Sequence, residues 1–162
     1  MTPGQRVGAV TVAVAAIAAP FVAHFEGEVR HGYRDPIGIV TSCFGHTGPE
    51  AQMGRTYTHA ECLAQLTADL DHHDAGLLAC VRVPMADNVH AAMLSFAFNV
   101  GVRAACGSTA IAKINAGDIM AACAELSKWV RAGGKVLPGL VRRRAAERAL
   151  CEGRPIALGA IG

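Results

Sequence analysis

The sequence predicts an α+β fold: a small β element near the front, followed by a helical body. Three observations carry this expectation. Hydrophobic residues make up 52% of the 162 residues and charged residues only 17%, with Ala abundant and aromatics scarce. That composition supports a real core and leans towards helix, which excludes a disordered chain. Gly and β-favouring residues are gathered between Glu26 and Tyr57. Helix-capping signals then punctuate the remainder of the chain.

At the front, Arg6 precedes an uncharged run from Val7 to Ala23 that is 17 residues long. As a helix it would span about 26 Å, close to the roughly 30 Å of a bilayer core. The run is weakly hydrophobic, and acidic Glu26 and Glu28 follow it. The positive-inside rule keeps such an N-terminus in the cytoplasm and sends the rest outward. A cleaved signal peptide with a small-x-small site at Ala16-Ile17-Ala18, a permanent anchor and an ordinary core helix all fit this run. Pro20 suits a first turn, so a short helix is expected from near Pro20 to Glu26, with Phe21, Val22 and Phe25 on one face.

From Glu26 to Tyr57, Gly27, Gly32, Gly38, Gly45 and Gly48 alternate with Tyr33, Ile37, Ile39, Val40 and Thr41. This reads as two or three short strands, with Asp35-Pro36 marking a turn. Strands so few must lean on helices. Thr58 and Glu61 form a capping box that opens a helix to about Leu78, with Leu63, Leu66 and Leu70 on its inner side. Pro84 breaks the chain. A second helix is expected over 87–100 and ends at Gly101. A third runs from Ser108 to Asn115 and is closed by Gly117. A fourth is capped by Asp118 and reaches Trp129. Gly133-Gly134 reads as a loop. A fifth helix opens at Pro138 and ends near Gly153, and the chain beyond Arg154 is expected to fray.

The net charge of +2 does not call for nucleic acid. No helix-turn-helix signal precedes VRRRAAER, which makes a DNA-binding role the weakest reading. Arg142, Arg143, Arg144, Arg148 and Arg154 crowd the C-terminal end. They read either as a solvated helix face or as a surface for anionic partners such as the bacterial envelope. The six Cys form no CxxC pair and no zinc spacing, so neither metal nor cofactor is expected. An oxidising compartment would suit them, which agrees with export, and buried free thiols are the alternative. His72, His73 and Asp74 look like a metal trio, but consecutive helical residues point apart and a solvated face is the preferred reading.

Glu26 and Asp35 lie nine apart, a spacing without meaning by itself. Their surroundings differ, however. Glu26 follows Phe25 and an apolar run, where desolvation would favour the protonated acid, whereas Asp35 sits in a solvated turn leading to Gly38. Thr41 occupies a strand position that can aim its hydroxyl at the same cleft. Glycoside hydrolysis needs two carboxyls in unlike environments, one to donate a proton and one to act on the opposite side of the sugar.

The stretch HFEGEVRHGYRDPIGIVTSCFGHTG, residues 24–48, closely resembles the active-site segment of phage lysozymes of glycoside hydrolase family 24. There a Glu, an Asp and a Thr recur at this spacing before a Gly-His-Thr like Gly45-His46-Thr47. GRTYTHAEC (54–62), SFAFNVG (95–101), INAGD (114–118) and GLVRRRAAERALC (139–151) also match in order, so the resemblance runs from about residue 20 to 152. It implies a lysozyme-like fold, with a small β-hairpin lobe packed against a mainly helical lobe and a substrate cleft between them. The implied activity is cleavage of the bond between N-acetylmuramic acid and N-acetylglucosamine in peptidoglycan glycan strands, by a monomer that lyses its host.

In that resemblance Glu26 is the general acid, Asp35 acts on the water or sugar face, and Thr41 helps to hold the water. Tyr33, His46, Phe98 and Asn99 are candidate sugar contacts. A packing Tyr33, a hydrogen-bonded structural His46 and core positions for Phe96, Phe98 and Trp129 are the plainer readings. The resemblance also implies local disulfides: Cys43–Cys62, Cys80–Cys106 and Cys123–Cys151. Some relatives carry a signal-anchor-release segment, which is exported uncleaved, tethers the enzyme to the inner membrane, and then refolds into the domain. On that reading residues 1–25 are the releasable segment, 26–153 the catalytic domain and 154–162 a tail, and the enzyme reaches the host periplasm transiently tethered. Release is preferred over cleavage, since cleavage would remove helix that supports Glu26. No Cys lies in the apolar run, so a switch using an anchor cysteine cannot operate. A lytic transglycosylase, which needs the Glu alone, and a non-enzymatic membrane-disrupting protein are the competing classes.

Overall fold

The computed structural model of the chain describes residues 10–156. Arg6 and the beginning of the apolar run lie outside the described residues, as does the tail beyond residue 156. Helix α1 spans Val12–Glu26, so it starts well before the expected Pro20. Thr11 caps it, its hydroxyl accepting from Val14 N at 3.3 Å. Pro20 lies inside the helix on its exposed side, as does Ala16 four residues earlier. The carbonyl that proline leaves unbonded therefore faces water, which reduces the cost of the break. The inner side of α1 buries Val14, Ala18, Phe21 and Val22.

Strands β1 (Val29–Arg34) and β2 (Val40–Cys43) form an antiparallel hairpin with Tyr33 opposite Thr41. The pairing is irregular between Val29 and Tyr33, and residues 54–57 pair along the other edge of β1. Gly32 N donates to Arg55 O at 2.8 Å, and Tyr57 N to Arg30 O at 2.9 Å.

Helix α2 (His59–Cys80) begins at the expected capping box. Its inner stripe is Cys62, Leu66, Leu70, Asp74 and Leu77, whereas Leu63 is exposed. The helix is rotated so that Cys62 meets Cys43 of β2 in a disulfide. Asp74 therefore belongs to the interior rather than to a solvated face. It accepts from His90 on the next helix, while His73 donates to Asp69 O at 2.7 Å.

Helix α3 (Asp87–Val100) is the central element, buried without interruption from Val89 to Ala97 and packed against α1, α2 and α7. After Gly101 comes α4 (Val102–Cys106), a five-residue helix too short for a periodic signal. Helix α5 (Thr109–Asn115) is capped by Ser108 and α6 (Ile119–Glu125) by Asp118. The single helix expected from Asp118 to Trp129 is instead α6 followed by a 3-10 turn over Leu126–Lys128.

Gly133-Gly134 is the turn of a minimal hairpin, β3 (Arg131–Ala132) with β4 (Lys135–Val136), both glycines having positive φ. Two such glycines favour the tight turn whose twist matches paired strands. The strands are two residues each and exposed, so no alternation announces them. Helix α7 (Pro138–Cys151) closes the domain.

The disulfides are Cys43–Cys62, Cys80–Cys106 and Cys123–Cys151, the pairing that the family resemblance implies. The fold is α+β, with the larger hairpin and its flanking segment set against a helical body built round α3. No helix among the described residues is long and apolar enough to cross a membrane.

Candidate active site

Glu26 is the last residue of α1. Gly27, at φ +73°, turns the chain out of the helix while its N–H still donates to Ala23 O at 3.1 Å. This holds the Glu26 carboxylate at the helix end, half-buried, next to Arg143 on α7. Arg143 Nη1 donates to Glu26 Oε1 at 2.6 Å, and the guanidinium also lies over the Phe25 ring. Glu26 therefore meets a cation as well as the apolar neighbours foreseen from the sequence. Its other oxygen, Oε2, faces Gly45 in the turn after β2, where a side chain would begin only 3.7 Å away.

Arg143 and Arg144 are buried, which corrects both sequence readings of these two residues as a solvated helix face or an anion-binding surface. Their anchor is Glu147, one turn further along α7 and fully buried. It accepts from Arg143 Nε at 3.2 Å, from Arg144 Nη1 and from Ser95 Oγ at 2.7 Å. Burial pushes the Glu147 carboxyl up and the Arg144 guanidinium down, and the attraction between the two opposes both shifts. Arg144 also donates to Asn99 Oδ1 and, at 3.1 Å, to Trp129 O. Asn99 is thereby oriented with its NH2 group as the free end. Sequence reasoning missed Arg143 as part of the site. The usable signal was Glu147, spaced i+4 and i+3 from two arginines on one helix face.

A cavity of about 460 Å³ opens beside Glu26, lined among others by Asn99, Leu137, Arg142 and Arg143. It brings together two of the sequence-predicted residues, Glu26 and Asn99. Asp35 and Thr41 lie on the hairpin instead and do not line this cavity. Asp35 Oδ1 accepts from Ile37 N at 3.0 Å and from Ile39 N at 2.8 Å. The Asp35 N–H donates to Ile39 O, so hairpin pairing continues through Asp35 and strand alternation sets Tyr33, Asp35 and Thr41 on one face. Thr41, nearly buried, donates to Ile39 O at 3.1 Å.

Tyr33 is half-buried beside His31 and Phe98 packs on the His73 ring at 4.8 Å, and neither lines the cavity by Glu26. Phe96 is core and meets Trp129 edge to face. His46 is buried with both ring nitrogens occupied: Nδ1 by Asp69 at 2.9 Å and Nε2 by Glu50 at 3.0 Å. Burial alone would lower its pKa, but the hydrogen bonds to Glu50 and Asp69 outweigh this and raise it.

Residues 23–147 match the phage lysozyme family model. The SAR-endolysin of bacteriophage PS119 is 41% identical over 78% of this chain and 75% of its own length. The SAR-endolysin of Enterobacteria phage P21 is 39% identical over 89% of this chain and 88% of its own. Among solved structures, a P22 lysozyme mutant superposes with a TM-score of 0.79 at 30% identity, covering 90% of this chain and 99% of that one. The muramidase domain of SpmX from Asticaccaulis excentricus also gives 0.79, at 28% identity over 85% of this chain and 96% of its own. Such a fold, with a carboxylate lining its cavity, is that of a lysozyme-type glycosidase. The chain belongs to the phage lysozyme family, and its activity is that of a peptidoglycan-lysing endolysin.

Proposed function

We propose that the chain hydrolyses the β-1,4 bond between N-acetylmuramic acid and N-acetylglucosamine, with Glu26 as general acid and with Asp35 and Thr41 holding the attacking water. One observation carries these assignments: each carboxylate has one anchored oxygen and one left without a partner among the described residues. Glu26 Oε1 is held by Arg143, and Asp35 Oδ1 by two backbone N–H groups. Glu26 Oε2 and Asp35 Oδ2 remain for chemistry.

Glu26 donates a proton from Oε2 to the glycosidic oxygen as the C1–O bond breaks. Arg143 stabilises the carboxylate that this donation leaves, an interaction that strengthens as charge develops. Thr41 spends its own proton on Ile39 O, so its oxygen accepts a hydrogen from water. Asp35 Oδ2 accepts the second hydrogen, leaving a lone pair of the water for C1, and takes the proton when the C–O bond forms. A water attacking from the face opposite the leaving group inverts the anomeric centre. Purified peptidoglycan treated with wild type should yield reducing-end muramic acid by mass spectrometry, and Glu26→Gln and Asp35→Asn should each lose it. Anhydro-muramic products from a still active Asp35→Asn would turn the reading to a transglycosylase.

The same reading extends to export as a monomer, with transient tethering to the host inner membrane through the apolar run. Two things support it: the naming of the PS119 and P21 relatives as SAR-endolysins, and the weak hydrophobicity of the run. Val14, Ala18, Phe21 and Val22 cannot lie in a bilayer and fill the core together, so a tethered chain lacks α1 and the placement of Glu26. In fractionated cells the membrane-bound form should be inactive and the released periplasmic form active. Equal specific activity in both fractions would end the tethering model.

A further inference from the structure

We propose that Arg142 is a specificity residue that binds a carboxylate of the peptide stem carried by the muramic acid beside the cleaved bond. The inference rests on the hydrolase reading above and adds the part of the substrate that is not sugar.

Arg142 stands apart from its neighbours. Arg143, Arg144, Arg148 and Arg154 each have a carboxylate partner at Glu26, Glu147 or Glu152. Arg142 has no ion pair or hydrogen bond among the described residues. It is exposed, yet it lines the same cavity as Glu26, and its Nη2 folds back to within 3.9 Å of the Cβ position on Gly139.

The surroundings favour an anion. From Leu126 to Ala146 the chain has six cationic residues and no acidic one. Three of the six are otherwise committed: Arg143 and Arg144 are buried in ion pairs, and Lys128 is held by Glu125. Arg131, Lys135 and Arg142 remain exposed, the first two on the small hairpin that leads directly into Leu137, another residue lining the cavity. The segment that leads into this wall of the cavity therefore carries three exposed cations and no acidic residue.

Glycan chemistry says what these cations would meet. The N-acetylated sugars are neutral, and the muramic lactyl carboxyl is consumed in an amide to the peptide. The negative charge next to the scissile bond then comes from the free carboxylates of that peptide. A planar guanidinium matches a carboxylate with two parallel N–H···O bonds, a geometry that lysine does not reproduce. Exposed Leu137 and Val141 flank the position and offer apolar cover for alanine methyl groups of a stem.

The test compares intact sacculi with the same glycan after an amidase has stripped its peptides and the lactyl carboxyls so freed have been converted to neutral methylamides. The quantity read is the ratio of kcat/KM on the two substrates. Arg142→Gln should lower that ratio about tenfold, the scale of one charge-assisted contact. Arg142→Lys should recover only part of it. Arg103→Gln removes an exposed arginine on α4 whose side chain has no partner among the described residues and which lies outside this cavity, and should leave the ratio unchanged. An unchanged ratio in Arg142→Gln, or an equal fall in Arg103→Gln from general attraction to an anionic wall, overturns the assignment. Failure of wild type to cleave either substrate would instead overturn the hydrolase reading on which it rests.

Discussion

Glu26 and Arg143, 117 positions apart in sequence, meet at 2.6 Å where the end of α1 crosses α7. The same guanidinium reaches Glu147 through Nε, so one side chain ties the proposed acid to the most buried charge in the domain. Arg143→Ala leaves Glu26 unpaired and withdraws one of two cations from Glu147. Breaking a buried pair in this way costs about 3–5 kcal/mol, on the order of 10 °C in Tm for a chain of this size. Arg143→Lys keeps the charge but cannot span Glu26, Glu147 and Ser95 at once. It should lose less stability than the alanine variant yet still lose at least about tenfold in kcat, since tenfold is only about 1.4 kcal/mol of transition-state stabilisation. Thermal melts and turnover on peptidoglycan, measured on both variants, separate the two effects. Full kcat in Arg143→Lys would mean that Arg143 serves the fold alone.

The His46 clamp makes stability depend on pH. Its folded pKa is raised above the ordinary 6.5, so the stabilisation it provides is complete below 6.5 and fades as pH rises through the folded value. Glu50 is shifted down from 4.5 by its hydrogen bond to His46, so its share is present above 4.5 and fades as pH falls through the depressed value. The cluster is therefore strongest between these limits, near pH 5 to 6.5. Asp69→Asn keeps an acceptor for Nδ1 but removes its charge, and should cost about 1 kcal/mol near pH 5.5, and less at pH 8. Urea unfolding from pH 5 to 8.5 reads this directly. A cost that does not change with pH would mean that the ring stays neutral throughout.

The Cys43–Cys62 bridge fastens the hairpin lobe to the first turn of α2, its cysteines 19 positions apart. Loop entropy assigns such a closure about 3 kcal/mol. Replacing both cysteines by serine should lower stability by roughly that amount. Because β2 carries Thr41 as well as Cys43, activity should fall at temperatures where the fold still holds. The Cys123–Cys151 pair joins α6 to the end of α7, away from the hairpin. Its double serine variant should lose stability without that extra loss of activity, as melts and activity at matched temperatures below both transitions will tell.

Capping chemistry was readable because it is local: Thr58 with Glu61, Ser108 and Asp118 each signal a helix start within four residues, and each cap is present. The apolar run was readable as hydrophobic but not in extent, because Pro20 argued for a late start and only the exposure of Ala16 and Pro20 removes that objection. For Glu26, Asp35 and Thr41, the sequence supplied unlike surroundings and a family pattern. Arg143 escaped it because four neighbouring arginines look alike in sequence, and only the crossing of α1 over α7 distinguishes the one that meets Glu26. Asp74 and His90 escaped for the same reason, their pairing being set by the packing of α2 on α3.

Gly32 offers a test of how the hairpin lobe is held. A Cβ built there would stand 1.8 Å from the Gln52 carbonyl oxygen, a backbone atom. That segment cannot easily yield. Gln52 N donates to the Tyr57 hydroxyl, which itself donates to Glu50 O at 2.6 Å, and Gly32 N is bonded to Arg55 O. Gly32→Ala must therefore push β1 away from residues 52–56, at a cost of about 1–3 kcal/mol for overpacking. The displaced strand leads to Asp35, so turnover should fall by more than the loss of folded protein explains. Gly107→Ala is the fitting control, with φ −83° and its nearest non-neighbour atom 3.5 Å away. A compatible backbone makes that change neutral or stabilising by up to about 1 kcal/mol, through the unfolded chain. If Gly32→Ala matches Gly107→Ala in both unfolding and turnover, residues 52–56 are free to move, and the close approach does not set the position of the hairpin.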